Sequence, residues 1–287
     1  MKKILQLLVM LGICLLGLYL GSGFTANAEE NEVFNLYKSG VDAHIINDEK
    51  YDYNTWDKKV FLLLKESYNQ IQQYSEDNIS LEDWVKANNY GIIPQTNDSI
   101  IDGKENSNML RSTASNKKKF INVIKPGDII FSAKYTLSGF IGHAALATTH
   151  KWIVEMPGGK TNPNGLKDNN RQITTANFFE THKSNWNYVY RLPNQSLAKK
   201  VATYADKHFY STKGTSKKDV HISYGIDSHM KRKNPNYCSK LVYQAYYYGS
   251  GDLPVMKPYP NIFAPIPPAQ IINTFRDSYL PYCIGKY

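Results

Sequence analysis

The chain has 287 residues, with 34 Lys and Arg against 25 Asp and Glu, and three cysteines. A formal charge of +9 suits an anionic cell-surface polymer or headgroup, but the basic residues are scattered and no nucleic-acid motif accompanies them, so no nucleic-acid partner is expected. Three cysteines in so long a chain are not a disulfide scaffold, and without CxxC or HExxH no metal or other cofactor is expected either.

Residues 1–28, MKKILQLLVMLGICLLGLYLGSGFTANA, read as a secretory signal. Lys2 and Lys3 form its positive end, an apolar run follows, and Ala26-Asn27-Ala28 fits the small-x-small cleavage pattern. The apolar run is long enough that a retained anchor is the alternative, and the membrane is expected as a partner only through this segment. Ile13 stands before Cys14 where lipoprotein signals resemble one another in having Gly, Ala or Ser, which argues against lipidation there. The remaining chain is expected outside the cell or on its wall, with two cysteines, Cys238 and Cys283.

Residues 29–93 are predicted to be a helical appendage. Val60, Leu63, Leu64 and Tyr68 recur at helical spacing, and a second helix is expected after an N-cap at Ser80, stopping near Gly91. Residues 94–119, rich in Asn, Ser and Lys, read as a polar linker or long loop. From residue 120 to 287 the pattern becomes that of an α+β domain. Strands are expected over 127–133, 142–149, 151–156 and 187–192, and helices over 174–183 and 194–210. His143 and Glu155 fall on two of these strands, joined closely enough for a hairpin. A last helix opens at Cys238, with Leu241, Val242, Ala245 and Tyr246 on one face and Gly249 at its end.

Cys238 by itself reads as a buried thiol, as half of a bridge to Cys283, or as a nucleophile. Its place at a helix N-terminus favours a thiolate, and the unpaired N–H groups there can stabilise an oxyanion. An attacking thiol needs an imidazole to take its proton and a group to orient that imidazole. His143 and Glu155 supply both residue types, although a core histidine and a solvated strand acid are the plain alternatives.

The order PGDIIF, GHAALAT, WIVEMPGG and YCSKLVYQAY resembles the circularly permuted, YiiX-like branch of the NlpC-type papain-like cysteine peptidases, over about residues 120–275. The histidine hairpin precedes the cysteine helix, as in that branch, whose distant relatives include the lecithin retinol acyltransferase family. The resemblance implies a permuted papain-like fold with an antiparallel sheet on the nucleophile helix. It also implies Cys238 as nucleophile, His143 as base, Glu155 as orienting residue and Tyr224 as a tyrosine near the substrate. Lys240 stands where relatives have an acidic or small residue. The expected function is a secreted cysteine hydrolase cleaving an amide, foremost in cell-wall peptide. A lipid-directed amidase or acyltransferase and a silent wall-binding module are the alternatives.

Overall fold

The computed structural model describes residues 30–74, 78–102, 113–135, 140–159, 164–258 and 265–287. The expected signal segment lies outside these residues. Among the described residues no helix is long and apolar enough to cross a membrane. The chain divides into two compact units, Met1–Asp57 and Lys58–Tyr287. In the first, α1 spans residues 30–42, and the hydroxyl of Tyr37 donates to the carbonyl of Tyr51 at 2.9 Å.

The second unit begins with α2 (Leu62–Ile71) and α3 (Leu81–Ala87). Ser80 caps α3 as its sequence suggests, its hydroxyl accepting from the Asp83 N–H at 3.0 Å. The polar stretch read as a linker carries a helix at its end: α4 runs Ala114–Val123, capped by Thr113 and buried through Phe120. Polar residues fill its outer face, so the apolar content that betrays a helix is small there.

Six strands follow: β1 (Ile129–Tyr135), β2 (Ile141–Ala147), β3 (Trp152–Glu155), β4 (Arg171–Thr174), β5 (Asn187–Arg191) and β6 (Tyr282–Lys286). They form one sheet in the order β4-β3-β2-β1-β5-β6, every neighbouring pair antiparallel. Three more helices complete the unit: α5 (Thr175–His182), α6 (Gln195–Phe209) and α7 (Cys238–Gly249). The protein is therefore α+β with a six-stranded antiparallel sheet.

Strand alternation sends side chains to two faces, and both are covered. Ile129, Phe131, Ala144, Leu146 and Val154 pack with Leu197, Val201, Leu241, Val242 and Tyr246 of α6 and α7. Ile130, Ala145, Ala147, Ile153 and Val189 pack with Phe120, Phe178 and Phe179 of α4 and α5. Each fully buried Leu, Val or Phe among these contributes about 1.5–3 kcal/mol. The sheet is thus a middle layer, which explains why β2 is buried along its whole length.

Two features fix the strand that carries His143. Arg191 at the end of β5 forks onto Asp128 just before β1, at 2.8 and 2.7 Å, both side chains nearly buried. Gly142 has φ +86°, and a Cβ there would lie 2.5 Å from the Phe131 ring. Only glycine allows the chain to enter β2 in this way.

Candidate functional site

The β2–β3 register pairs Ala145 with Glu155, so β3 has no partner for the first half of β2. His143 and Ala145 lie on the same side of β2 by alternation, which brings His143 diagonally beside Glu155. Their side chains meet: His143 Nε2 and Glu155 Oε2 are 2.7 Å apart. α7 packs on the opposite face of the sheet, and its first residue, Cys238, reaches the leading half of β2. There its sulfur comes under the influence of the His143 imidazole and the Ala144 N–H, and lies 4.0 Å from the Ser239 hydroxyl oxygen. Because Nε2 is engaged by Glu155, Nδ1 is the nitrogen left for the sulfur. The three residues are 4 %, 5 % and 0 % exposed for Cys238, His143 and Glu155.

Glu155 is held from two further directions. Arg171, directly opposite it on β4, brings Nε to 2.7 Å and Nη2 to 2.6 Å of Oε1. His182, the last residue of α5, places Nε2 3.5 Å from Oε2 and stacks on the His143 ring at 5.2 Å, with 6° between planes. Phe178, one turn earlier, covers the His182 ring at 4.3 Å. Arg171 and His182 were not singled out by sequence. β4 holds one apolar residue in four, and a histidine at a helix C-terminus reads simply as favourable to the dipole.

The charges follow from this packing. Burial works against ionising Glu155, but the hydrogen bond of His143 and the nearby His182 imidazole hold its carboxyl well below the usual carboxylate range. Burial likewise works against a charged His143, yet its bonds to Cys238 and Glu155 lift the imidazole from 6.5 to about 9. Burial would raise the Cys238 thiol. Its hydrogen bond to His143, the imidazolium charge and the Ala144 N–H outweigh that and lower it. Both shifts act in the direction of a thiolate–imidazolium pair.

His143, Glu155 and His182 also offer one metal-type ligand atom each within 4.8 Å of one another. Zinc holds such atoms at 2.0–2.2 Å, which sets tetrahedral neighbours about 3.3 Å apart. The 2.7 Å between His143 and Glu155 is instead a hydrogen-bond length, and Arg171 occupies the other carboxylate oxygen. The cluster fits an orienting network better than a metal centre.

The helix start is open electrostatically: Tyr237 makes no side-chain cap to α7. Ser239 donates to the Ile266 carbonyl at 2.6 Å while its oxygen stays 4.0 Å from the Cys238 sulfur. Both Cys238 and Cys283 are free thiols. Cys283 lies on β6 opposite Tyr190, where burial raises its thiol, the reverse of Cys238. Tyr224 is 2 % exposed; its backbone bridges to Leu166 and to Asn236, two residues before Cys238, and its ring lies against Gly158. It lines a cavity of about 640 Å³ whose other walls include none of Cys238, His143 and Glu155.

A family model described as "Lipoprotein N-acylation protein LnsA-like" matches residues 92–283. The chain belongs to this family. The match spans β1 to β5 and the start of β6, the Cys238 helix and every residue of the network just described. The chain is also similar to a 30.3 kDa protein of Bacillus thuringiensis, itself described as uncharacterized, at 33 % identity over 261 residues covering 88 % of each chain. No solved structure matches. Membership thus lies with an acylation-related family. The peptidase resemblance expected from motif order is the weaker guide, and the expected alternative, a lipid-directed amidase or acyltransferase, stands closer than a cell-wall amidase.

Proposed function

We propose that this protein is a thiol acyltransferase that carries an acyl group on Cys238 and delivers it to an amine of a lipoprotein. The observation that carries the proposal is the buried Cys238–His143–Glu155 network at an uncapped helix start, in a chain of a lipoprotein N-acylation family. The Cys238 thiolate attacks the carbonyl of an ester acyl donor, and the helix-start N–H groups receive the developing oxyanion. The tetrahedral species collapses as the ester oxygen leaves and takes the proton of His143, giving a free alcohol and a thioester on Cys238. His143 is then neutral. It removes a proton from the incoming amine, which attacks the thioester to form an amide and release the Cys238 thiolate. The resting ion pair is restored.

Glu155 keeps Nε2 protonated and Nδ1 directed at the sulfur, while Arg171 and His182 hold Glu155 itself. The same residues would serve hydrolysis if water replaced the amine. Burial of all three groups favours aminolysis by limiting water at the thioester. The family description also favours transfer, and it displaces cell-wall peptide as the leading substrate. A permuted papain-like arrangement accounts for the helix, histidine strand and acid strand, and is part of the same proposal. An exported location follows from residues 1–28 read as a signal.

The test supplies purified protein with a phospholipid ester as donor and a diacyl lipopeptide with a free N-terminal amine as acceptor. Mass spectrometry should find the N-acylated lipopeptide with the native protein and none with Cys238→Ala. Release of fragments from purified peptidoglycan, with no lipopeptide acylation, would overturn the proposal.

A further inference from the structure

The basic run Lys231-Arg232-Lys233 ahead of the cysteine helix is split by the fold. Lys233 donates to the Tyr204 hydroxyl at 2.9 Å and lies over the rings of Tyr204 and Tyr248 at 5.3 and 5.4 Å. Arg232 instead lines the 640 Å³ cavity, together with Ser223, Asp227, Ser228, His229 and Asn234. Lys240, fully buried on α7, sends its ammonium to Asp227 Oδ1 at 3.2 Å. One carboxylate therefore faces the ammonium of Lys240, the guanidinium of Arg232 at 3.7 Å and the imidazole of His229 at 3.4 Å. Lys240 and Arg232 share the one carboxylate of Asp227, which leaves one net positive charge in this wall, and Arg232 holds its oxygen only loosely at 3.7 Å.

The donors are surplus too. Among the described residues the Arg232 guanidinium, the Ser223 and Ser228 hydroxyls and the Asn234 amide nitrogen donate no hydrogen bond to protein. The Asn234 amide oxygen, by contrast, is used, accepting from the Ser223 N–H at 3.0 Å. A carboxylate ligand would be satisfied by the guanidinium fork alone. Donors spread over several residues match an anion with four oxygens, and the volume leaves room for substituents beyond the anion itself.

We propose that this cavity is a binding site for a phosphate-bearing ligand, with Arg232 as its principal contact and Ser223, Ser228 and Asn234 as supporting donors. The ligand sits where it can bias the nucleophile: Pro235 lines the cavity, and Asn236 bridges to Tyr224 two residues before Cys238. The proposal goes beyond acyl transfer and does not depend on it. A phospholipid headgroup and a free phosphate present the same chemistry.

The experiment titrates Cys238→Ala protein by calorimetry with inorganic phosphate, glycerophosphoethanolamine and, as a control, acetate. Working on Cys238→Ala removes turnover, so a failed acyl-transfer reading leaves this test intact. Saturable binding of a phosphate probe, weakened about tenfold or more by the added Arg232→Gln change and several-fold by Ser228→Ala, is the expected result. Arg232 is half exposed, so its replacement leaves the fold in place. Tighter binding of the diester assigns a lipid headgroup, and tighter binding of inorganic phosphate assigns the free anion; both support the site. Absence of saturable binding, equal binding of acetate, or an Arg232→Gln protein that binds like its parent overturns it.

Discussion

Replacing Glu155 by Gln removes one negative charge from a site where it faces two imidazoles and a guanidinium. The lift of His143 from 6.5 to about 9 corresponds to roughly 3 kcal/mol of preference for the imidazolium. Cys238 and Glu155 both contribute to that lift, so losing the Glu155 charge withdraws about half of it, on the order of 1.5–2 kcal/mol. The amide also presents a donor on one side, so it cannot accept from both His143 and Arg171. The His143 pKa should fall by about one unit, and the thiolate fraction at neutral pH by about tenfold. The assay is the pH dependence of Cys238 alkylation by iodoacetamide, read by peptide mass spectrometry. Native protein should react well below the pH of an ordinary thiol, with its ion pair lost only as pH rises through about 9. Glu155→Gln should react later on the rising limb and lose the ion pair earlier. An unchanged profile in a protein that remains folded by circular dichroism would refute the role given to Glu155.

His182→Gln keeps a polar group near Glu155 but removes the stacked, chargeable ring; acyl transfer should fall several-fold and the alkylation limb should shift in the direction of Glu155→Gln. Gly142→Ala forces a Cβ to within 2.5 Å of the Phe131 ring at a φ that disfavours alanine, and should lower stability by about 1–3 kcal/mol in a urea melt. For pH, the raised His143 pKa contributes stability that is fully present below about 6.5 and is lost as pH rises through about 9. The lowered Cys238 pKa offsets that loss, because the folded ion pair and the unfolded thiol and imidazole each hold one proton between about 6.5 and 8.5. The native melting temperature should stay nearly level there, and in Cys238→Ala the decline should begin near 6.5.

How much of this was legible in the sequence depends on apolar patterning. β1, β2, β3 and β5 lie where runs such as GDIIFSA and NYVYRL place them, and the helix at Cys238 begins and ends at the residues expected. The antiparallel pairing of the His143 and Glu155 strands follows from the short link between them. β4 escaped notice because RQIT is a polar edge strand with every residue half-buried. β6 escaped because YCIGK, at the other edge, has no alternating burial to reveal it. Missing β4 meant missing Arg171, whose only signal is the charge it offers to Glu155. His182 could be found only by placing α5 against β2, a long-range contact that local periodicity does not encode. Tyr224, expected near the substrate, lines the 640 Å³ cavity.

The central claim is that Cys238 carries an acyl group, and intact-protein mass spectrometry tests it most directly. Protein incubated with a phospholipid ester, without an amine acceptor, should gain the mass of one acyl chain. The adduct should map to Cys238, be released by hydroxylamine, be absent in Cys238→Ala and persist in Cys283→Ser. An unmodified mass under these conditions, or an adduct that survives in Cys238→Ala, would contradict the account.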